Sequence, residues 1–437
     1  MTAITTAAGR IPPGPAQAYD ASEDLLAFMQ RNFATYGDIY RARIHGSNVY
    51  VISDATYAEH VLLRNWENYL RKGQAVKRIA LSLGSGLISS NGPLWVRQRR
   101  MIQPAFRREA VGALRDTFVK PNAALLARWV QAAHANASVD VTADVSVTVL
   151  EVTLLAIFGA DYERVAAHFQ IIAEESRNLE FAQTCKALSR IIVQIATERR
   201  AAGRNDADIL GMMMQSRDRE GQPMADAQLA REALTLVIAG HETTASVLNW
   251  IWYLLARYPQ VEGRLVSEVQ ELLGPEGPVF EQLPRFTYTR QVIEEALRCY
   301  PPLWLMTRKA IGADLLGDYE VPLGTEIYIS PYLLQRHPRF WEEPESFDPE
   351  RFAAEDPQQP RLAMCPFGAG PRNCIGEFFA RVEMQIHLLL IASRLKLRYD
   401  EARSAEAVAG VNLLSKHHFI MQPQVRTVAR DAAQASA

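Results

Sequence analysis

The spacing of hydrophobic residues is helical over most of this 437-residue chain. From about residue 110 to 397, apolar side chains recur at the three- or four-residue intervals of an amphipathic helix. Clusters of Gly and Pro near residues 274–278, 301–302 and 366–371 interrupt this period and mark turns between helices. The pattern predicts a mainly α protein.

Strand patterns are confined to short segments. Residues 39–44 and 48–52 flank the turn His45-Gly46-Ser47 and predict a β-hairpin, and residues 326–329 predict another strand. The sequence contains no Gly/Ser-rich linker, low-complexity block or repeat, and 48% of its residues are hydrophobic, enough for a large core. We therefore expect a single large domain with small β-sheets.

The longest predicted helix, at about 226 to 258, carries polar residues in its middle. Residues 239–244 read Ala-Gly-His-Glu-Thr-Thr inside a largely apolar run from Leu234 to Leu255. A carboxylate and two hydroxyls are costly to bury there unless something uses or satisfies them. A polar stripe facing solvent is the alternative, but the neighbouring turns are apolar around most of their circumference. The segment is therefore a candidate functional site.

Charge and cysteine content narrow the class of function. A formal net charge of -2 gives no support for a nucleic-acid partner. Cys185, Cys299, Cys365 and Cys374 form no Cys-x-x-Cys pair, which disfavours a zinc site or a disulfide framework and favours a reducing cytoplasm. No basic stretch followed by an apolar one opens the chain, so we expect no signal peptide, no membrane anchor and a cytoplasmic location.

One cysteine stands in a loop suited to holding a flat metal cofactor. Residues 367–376 read Phe-Gly-Ala-Gly-Pro-Arg-Asn-Cys-Ile-Gly and precede a predicted helix. The glycines let the backbone approach closely, Phe367 can cover the sulfur, and Arg372 can reach an anionic edge. The positive end of the helix favours a Cys374 thiolate. A turn with an inert cysteine is the alternative.

The spacing Phe-x-x-Gly-x-Arg-x-Cys-x-Gly resembles the haem-ligand loop of the cytochrome P-450 family, the haem-thiolate monooxygenases. The resemblance covers about residues 20–425 and implies the P-450 fold. Residues 1–19 are then an N-terminal extension and residues 426–437 a flexible tail. It also implies haem b, iron protoporphyrin IX, as cofactor, with Cys374 as the iron ligand.

The polar centre of the long helix resembles the family's Ala-Gly-x-Asp/Glu-Thr segment, in which the helix opens a groove for dioxygen. The resemblance implies that Thr243 donates a hydrogen bond during dioxygen activation and that Glu242 relays protons from solvent. Family members vary at the position of His241. We interpret His241 as a helix-packing residue.

Other segments resemble elements that hold the haem. Trp95 and Arg99 lie four residues apart, on one helix face, and resemble the family's Trp-x-x-x-Arg clamp on the haem propionates. Arg308 and Arg372 are further propionate candidates.

A second set of charged residues resembles the family's Glu-x-x-Arg and Pro-x-Arg-Phe elements. Glu295, Arg298 and Arg351 would form a buried network on the proximal side of the haem. The role that the resemblance implies for them is structural.

The resemblance also locates surfaces for partners. It puts a basic segment at the proximal face, where an acidic electron carrier docks, although a solvated basic helix is an equal alternative; its residues are Arg97, Arg99, Arg100, Arg107, Arg108 and Arg115. It puts substrate-facing segments near residues 70–92, 165–195, 303–306 and 409–415. The apolar residues 303–306, Leu-Trp-Leu-Met, would line a lipophilic pocket or belong to the core.

The sequence thus predicts a monooxygenase that hydroxylates or epoxidises a lipophilic substrate such as a fatty acid, terpenoid or polyketide-like molecule. Dioxygen is the co-substrate, and two electrons come ultimately from NAD(P)H. No flavin or iron–sulfur module follows the haem domain, so we expect a separate ferredoxin or flavodoxin with its reductase. The alternatives are a peroxide-driven peroxygenase or haem-thiolate isomerase, and a non-catalytic haem-binding sensor or carrier.

Overall fold

The computed structural model describes residues 10–71, 80, 84–174, 179–354, 356–400 and 405–426. Helices dominate, as predicted. The α-helices are α1 (Leu25–Tyr36), α2 (Ala55–Glu59), α3 (Gly92–Ile102), α4 (Arg108–Ala113), α5 (Arg115–His134), α6 (Val141–Phe158), α7 (Glu163–Glu174), α8 (Leu179–Ala201), α9 (Ile209–Gln215), α10 (Asp226–Arg257), α11 (Pro259–Leu272), α12 (Thr287–Cys299), α13 (Pro331–Leu334) and α14 (Glu377–Ala392).

The strands form small sheets beside the helical body. They are β1 (Ile39–Ile44), β2 (Ser47–Ile52), β3 (Tyr69–Leu70), β4 (Val139–Asp140), β5 (Met306–Ala310), β6 (Asp314–Leu316), β7 (Tyr319–Val321), β8 (Glu326–Ile329), β9 (Leu395–Tyr399), β10 (Ala407–Ala409), β11 (Leu413–Ser415) and β12 (Ile420–Val425). The largest sheet has the order β1-β2-β8-β5-β3, and a three-stranded sheet has the order β4-β12-β9. The remaining strands pair as the hairpins β6-β7 and β10-β11.

The hairpin and the strand at 326–329 are confirmed, but the sequence analysis missed most other strands. The missed segments are short, two to six residues, and such lengths carry too few residues for an alternating period to stand out. The parallel pairing of β2 with β8 joins segments about 280 residues apart, with Val49 opposite Glu326. No local pattern specifies such a pairing.

The main hydrophobic core lies around α10, the long helix predicted from the sequence. The helix packs against α6, α8 and α12. Most of its length is buried because apolar residues surround it on nearly all sides, as Leu234, Leu248 and Ile251 illustrate. Two smaller apolar clusters lie under the five-stranded sheet. The core therefore fixes the position of the polar segment in the middle of α10.

Residues at both ends of the described chain are packed against the fold. Arg10 N–H donates to the Asp318 carbonyl in the β6–β7 hairpin at 2.8 Å, and the Pro13 carbonyl accepts from the Arg41 N–H of β1 at 2.8 Å. Arg426 is packed as well: its backbone N–H donates to the Arg394 carbonyl at 2.8 Å, and its guanidinium bonds carbonyls after α14. Residues 1–9 and 427–437 lie outside the described residues.

Among the described residues, one helical stretch, Val141–Asp161, is long and apolar enough to span a membrane. Its mean hydropathy is 1.9, and 61% of its most apolar window is buried inside the protein. Burial of this kind is typical of a core helix, which needs the same composition for packing.

Candidate functional site

The loop before α14 presents Cys374. The Cys374 N–H donates to the Phe367 carbonyl at 2.9 Å, which closes the loop, and the Gly376 N–H donates to Sγ. Gly370 has a φ of +70°, and a Cβ there would approach the Leu62 carbonyl oxygen to 2.0 Å, so only glycine fits. Gly376 has an ordinary φ of -91°, and it contributes its N–H rather than unusual conformational freedom.

Cys374 differs from the other three cysteines in its exposure. Cys185, Cys299 and Cys365 are buried, and burial raises the pKa of Cys185 to about 11 and of the other two to about 12. The Cys374 side chain is accessible although the protein surrounds it closely. Burial raises the pKa of this thiol, and the Gly376 N–H and nearby arginines only partly oppose that effect. The expected thiolate therefore needs a metal in addition to the helix end.

Four arginines converge near Cys374 without carboxylate partners among the described residues; they are Arg71, Arg99, Arg308 and Arg372. Burial lowers the pKa of each, and the Cys374 sulfur partly opposes this effect at Arg71 and Arg99. At Arg308 and Arg372, repulsion from neighbouring arginines adds to burial, so that their pKa falls to about 9. The Nη1 atom of Arg372 is buried without a hydrogen-bond partner. Buried positive charges without a negative partner destabilise the fold unless an anion binds beside them.

Trp95 and Arg99, the residues predicted to clamp the propionates, lie among these arginines. The Arg372 guanidinium lies 4.0 Å from the centre of the Trp95 ring and donates to Asn91 Oδ1 at 2.9 Å. Arg99 donates to the carbonyl and side-chain oxygens of Asn373, directly before Cys374. These contacts hold the guanidinium groups in place and use only some of their N–H donors, so that other N–H groups can bind an anion.

The sequence analysis missed Arg71 and Asn91. Arg71 follows the two-residue strand β3, and its carbonyl accepts from the Asn91 side chain at 3.1 Å. Neither residue belongs to a dense motif, so only the three-dimensional pairing of β3 with β5 brings Arg71 beside Arg308. The position of Arg71, a basic residue directly after a strand, was the one local feature that indicated a functional role.

The polar centre of α10 is an accessible window in a buried helix. Residues 232–237 and 244–252 are buried, whereas residues 238–243 are at least partly exposed. Thr243 Oγ1 donates to the Ala239 carbonyl at 2.7 Å, the bond to the previous turn that loosens a helix. Glu242 is exposed and accepts from the Asn412 side chain, so the expectation of a buried carboxylate was wrong. The β10–β11 connection reaches the helix and covers this side.

His241 lies against α6. Its Nε2 atom is 2.9 Å from Ser146 Oγ and 3.1 Å from the Ser146 carbonyl oxygen. Burial lowers the pKa of His241 to about 4, so the imidazole is neutral at physiological pH. The helix-packing interpretation agrees with this geometry.

The expected ionic network is present. Glu295 and Arg298 are fully buried on α12 and form a bidentate pair at 2.6 and 2.8 Å. Arg351 lies 3.4 Å from Glu295, and the Asp348 N–H donates to the same carboxylate at 2.9 Å. Arg298 also donates to carbonyls of the chain between α13 and Arg351. The network thus ties α12 to the segment that leads into the Cys374 loop.

These residues fit a haem. Cys374 is an accessible thiol at the end of a tight loop, and the four arginines need anions, which the two propionates would provide. Among the described residues, no group of three His, Cys, Asp or Glu side chains could hold a bare metal ion. A prosthetic group that takes a single protein ligand suits this donor set.

Comparison with known proteins decides the family. The family model for cytochrome P450 matches residues 14–175 and 171–414. The chain belongs to the cytochrome P450 family. It is 32% identical over 388 residues to cyclooctatin synthase of Streptomyces melanosporofaciens, with 83% of each protein covered. It is 28% identical over 448 residues to pentalenene oxygenase of Streptomyces avermitilis, with 98% and 99% covered.

The fold is that of solved members of the family. The haem domain of cytochrome P450DA superposes with a TM-score of 0.85 at 24% identity, covering 95% of this chain and 97% of that one. The chain is therefore an oxidoreductase, a cytochrome P450 monooxygenase with haem as cofactor, on a single-domain fold.

The basic segment of this cytochrome P450 divides into inward and outward residues. Arg97 pairs with Asp218 at 2.7 Å, Arg99 faces Asn373, and Arg115 donates to the Pro278 carbonyl at 2.8 Å. Arg100, Arg107 and Arg108 are exposed, and the Arg108 guanidinium also lies 5.5 Å from the centre of the Phe280 ring. The outward charges on α3 and at the start of α4 are thus fewer than the sequence suggested.

The segments predicted to face the substrate contain both core residues and residues that contact α10. Trp304 is buried, and its indole N–H donates to the Gly410 carbonyl at 3.0 Å, while Met306 packs beside Gly368 of the cysteine loop. Both residues are therefore core. The segment 409–415 reaches α10, where the Leu413 carbonyl accepts from Ser246 at 2.6 Å. Residues 72–79, 81–83 and 175–178 of the other two segments lie outside the described residues.

Proposed function

We propose that this cytochrome P450 uses dioxygen and two externally supplied electrons to hydroxylate or epoxidise a lipophilic terpenoid. The observation that supports this proposal most is the accessible window at residues 238–243 in the middle of a buried helix. An oxygenase needs a place where polar, proton-donating groups meet a pocket otherwise made of apolar residues. Thr243 and Glu242 supply such groups there.

The haem, when bound, supplies the redox chemistry that splits dioxygen. In this proposal Cys374 is its ligand, and Arg71, Arg99, Arg308 and Arg372 neutralise its propionates. Trp95 stacks on Arg372 and holds that guanidinium in a fixed orientation.

Protons enter through α10. Glu242 is exposed and takes up protons from solvent, and Asn412 orients its carboxylate. Thr243 presents its hydroxyl oxygen to the groove, because the bond in which it donates to the Ala239 carbonyl fixes the oxygen and leaves its lone pairs free to accept a proton. To donate into the groove, the O–H turns away from that carbonyl. The pair delivers protons at a defined point of the pocket.

The relatives support a terpenoid as substrate. The matched Streptomyces proteins are named for two terpenoids, cyclooctatin and pentalenene. Ile238 and Ala239, the partly exposed residues that open the accessible window, are apolar and suit a lipophilic substrate. Fatty acids and polyketide-like molecules are the weaker candidates.

Turnover tests this function. The haem-loaded protein is combined with a ferredoxin, its reductase and NADPH, and cyclic terpene hydrocarbons, fatty acids and a polyketide are compared. We expect terpenes to shift the ferric haem spectrum and to yield an oxygenated product with NADPH consumption. Efficient turnover with hydrogen peroxide alone would instead establish a peroxygenase. Absence of substrate-dependent NADPH consumption with every partner set would favour a carrier.

Arg100 and Arg107 test the proposed docking of an acidic electron carrier. Reversing both charges, Arg100→Glu with Arg107→Glu, should raise the KM for the ferredoxin about 10-fold at low ionic strength, because steering by opposite charge is lost. Activity of the wild type should fall as salt rises. The control is Arg31→Glu, an exposed arginine on α1 whose side chain is 59% accessible. Equal KM values for the two variants would contradict docking at this surface.

A further inference from the structure

A buried chain of hydrogen bonds joins three helices behind the cysteine loop. His387 on α14 is 1% exposed and uses both ring nitrogens: Nε2 accepts from the Trp252 indole N–H on α10 at 2.8 Å, and Nδ1 lies 2.6 Å from Asn122 Oδ1 on α5. Asn122 in turn donates to the Phe118 carbonyl at 2.8 Å. Since Nε2 accepts, Nδ1 carries the proton and donates to Asn122, so a single tautomer satisfies the chain.

The surroundings of this chain are buried. Burial lowers the pKa of His387 to about 3, and the imidazole stays neutral. Glu383, one turn earlier on α14, is also fully buried; both carboxylate oxygens lack hydrogen-bond partners among the described residues, and burial raises its pKa well above the usual value. Hydrogen bonds are strong in such surroundings, and an unpaired polar group is costly. The chain can therefore hold α5 and α14 in one fixed alignment.

Aromatic contacts continue from this chain to Cys374. Phe118, whose carbonyl accepts from Asn122, has its ring centre 4.8 Å from that of Phe379 on α14. Phe379 contacts Phe106 at 6.4 Å, and Phe106 lies beside Gly376, where a Cβ would meet its ring at 3.8 Å. Gly376 is the residue whose N–H donates to Cys374 Sγ. A shift of α14 against α5 would thus move the donor that faces the sulfur.

We propose that His387, Asn122 and Trp252 are positioning residues for the Cys374 ligand. They fix the start of α14 relative to α5, and through the three phenylalanine rings they fix the Gly376 N–H at the sulfur. With haem bound, the hydrogen bond from Gly376 would withdraw electron density from the Cys374 sulfur and so tune the strength with which that sulfur holds the iron. This inference rests on the proposed ligation of haem by Cys374.

The experiment compares two asparagines in the haem-loaded protein. Asn122→Leu removes the acceptor of His387 together with a bond to the carbonyl four residues back. Asn32→Leu removes only a hydrogen bond to the carbonyl four residues back, because Asn32 donates to the Phe28 carbonyl at 2.7 Å. Asn32 lies on the distant helix α1. We expect both variants to lose stability, but only Asn122→Leu to lose about 10-fold in haem affinity and to shift the reduction potential and the ferrous carbon-monoxide band.

Two further variants keep the test decisive. Trp252→Phe removes the indole donor and part of a buried ring but leaves Asn122 in place, and it should give a smaller change of the same kind if Asn122→Leu fails to fold. Asn122→Asp keeps an acceptor for His387 but loses the donor to the Phe118 carbonyl, so it should restore only part of the spectral change. Haem affinity, potential and spectrum unchanged in both Asn122→Leu and Trp252→Phe would overturn the proposal. The wild-type spectrum is recorded first, so a failure of Cys374 ligation is recognised separately.

Discussion

Replacing Glu295 by Gln should destabilise the protein by about 3 to 5 kcal/mol, because the change leaves the Arg298 guanidinium charged and unpaired in the core. Glu295 and Arg298 are both fully buried, and the carboxylate accepts from Arg298 twice and from the Asp348 N–H. A neutral amide cannot accept all of these bonds. The loss appears directly in the free energy of unfolding from denaturant titration.

Glu350→Gln is the matched control for this prediction. Glu350 pairs with Arg264 on the surface, where the two side chains are 42% and 58% exposed. Exposed pairs contribute only about 0 to 1 kcal/mol. If Glu295→Gln cost no more than Glu350→Gln, the buried network would not stabilise the fold. Arg351→Gln, at the edge of the network, should fall between them and remains measurable if Glu295→Gln does not fold.

Replacing Thr243 by Ala should lower product formation about 100-fold, a typical loss when a positioned proton donor is removed. Haem binding should be unaffected, because the hydroxyl bonds only its own helix at Ala239. NADPH consumption should continue, and its electrons should appear as hydrogen peroxide. The measurement is the ratio of product to NADPH consumed.

Thr235→Ala separates this chemistry from helix packing. Thr235 lies two turns earlier on α10 and makes the same kind of bond, from Oγ1 to the Arg231 carbonyl at 2.7 Å, but it is buried away from the accessible window. We expect Thr235→Ala to retain its ratio of product to NADPH. Full coupling in Thr243→Ala would remove the role proposed for Thr243.

The motifs that could be recognised from the sequence are those whose residues lie close together along the chain. The Cys374 loop, the Ala-Gly-His-Glu-Thr-Thr segment and the Glu295–Arg298 pair each occupy ten residues or fewer, so their spacing alone indicated their chemistry. The long helix was predicted to within one residue because its hydrophobic period is sustained.

The features that could not be predicted from the sequence depend on contacts between segments that are distant along the chain. Arg71 joins the arginine cluster only through the pairing of β3 with β5, and Asn412 meets Glu242 across 170 residues. The exposure of Glu242 was mispredicted for the same reason. Helical periodicity predicts which residues are neighbours along one helix. It does not predict which part of the helix surface the surrounding elements leave exposed.

The ferrous carbon-monoxide spectrum tests the central claim, that Cys374 is the thiolate ligand of a haem. The wild type, loaded with haem and reduced, should show the red-shifted band of a thiolate-ligated complex, and Cys374→Ala should lose that band. Cys365→Ala, a buried cysteine in the same region, should keep it. An unchanged spectrum in Cys374→Ala would contradict the account.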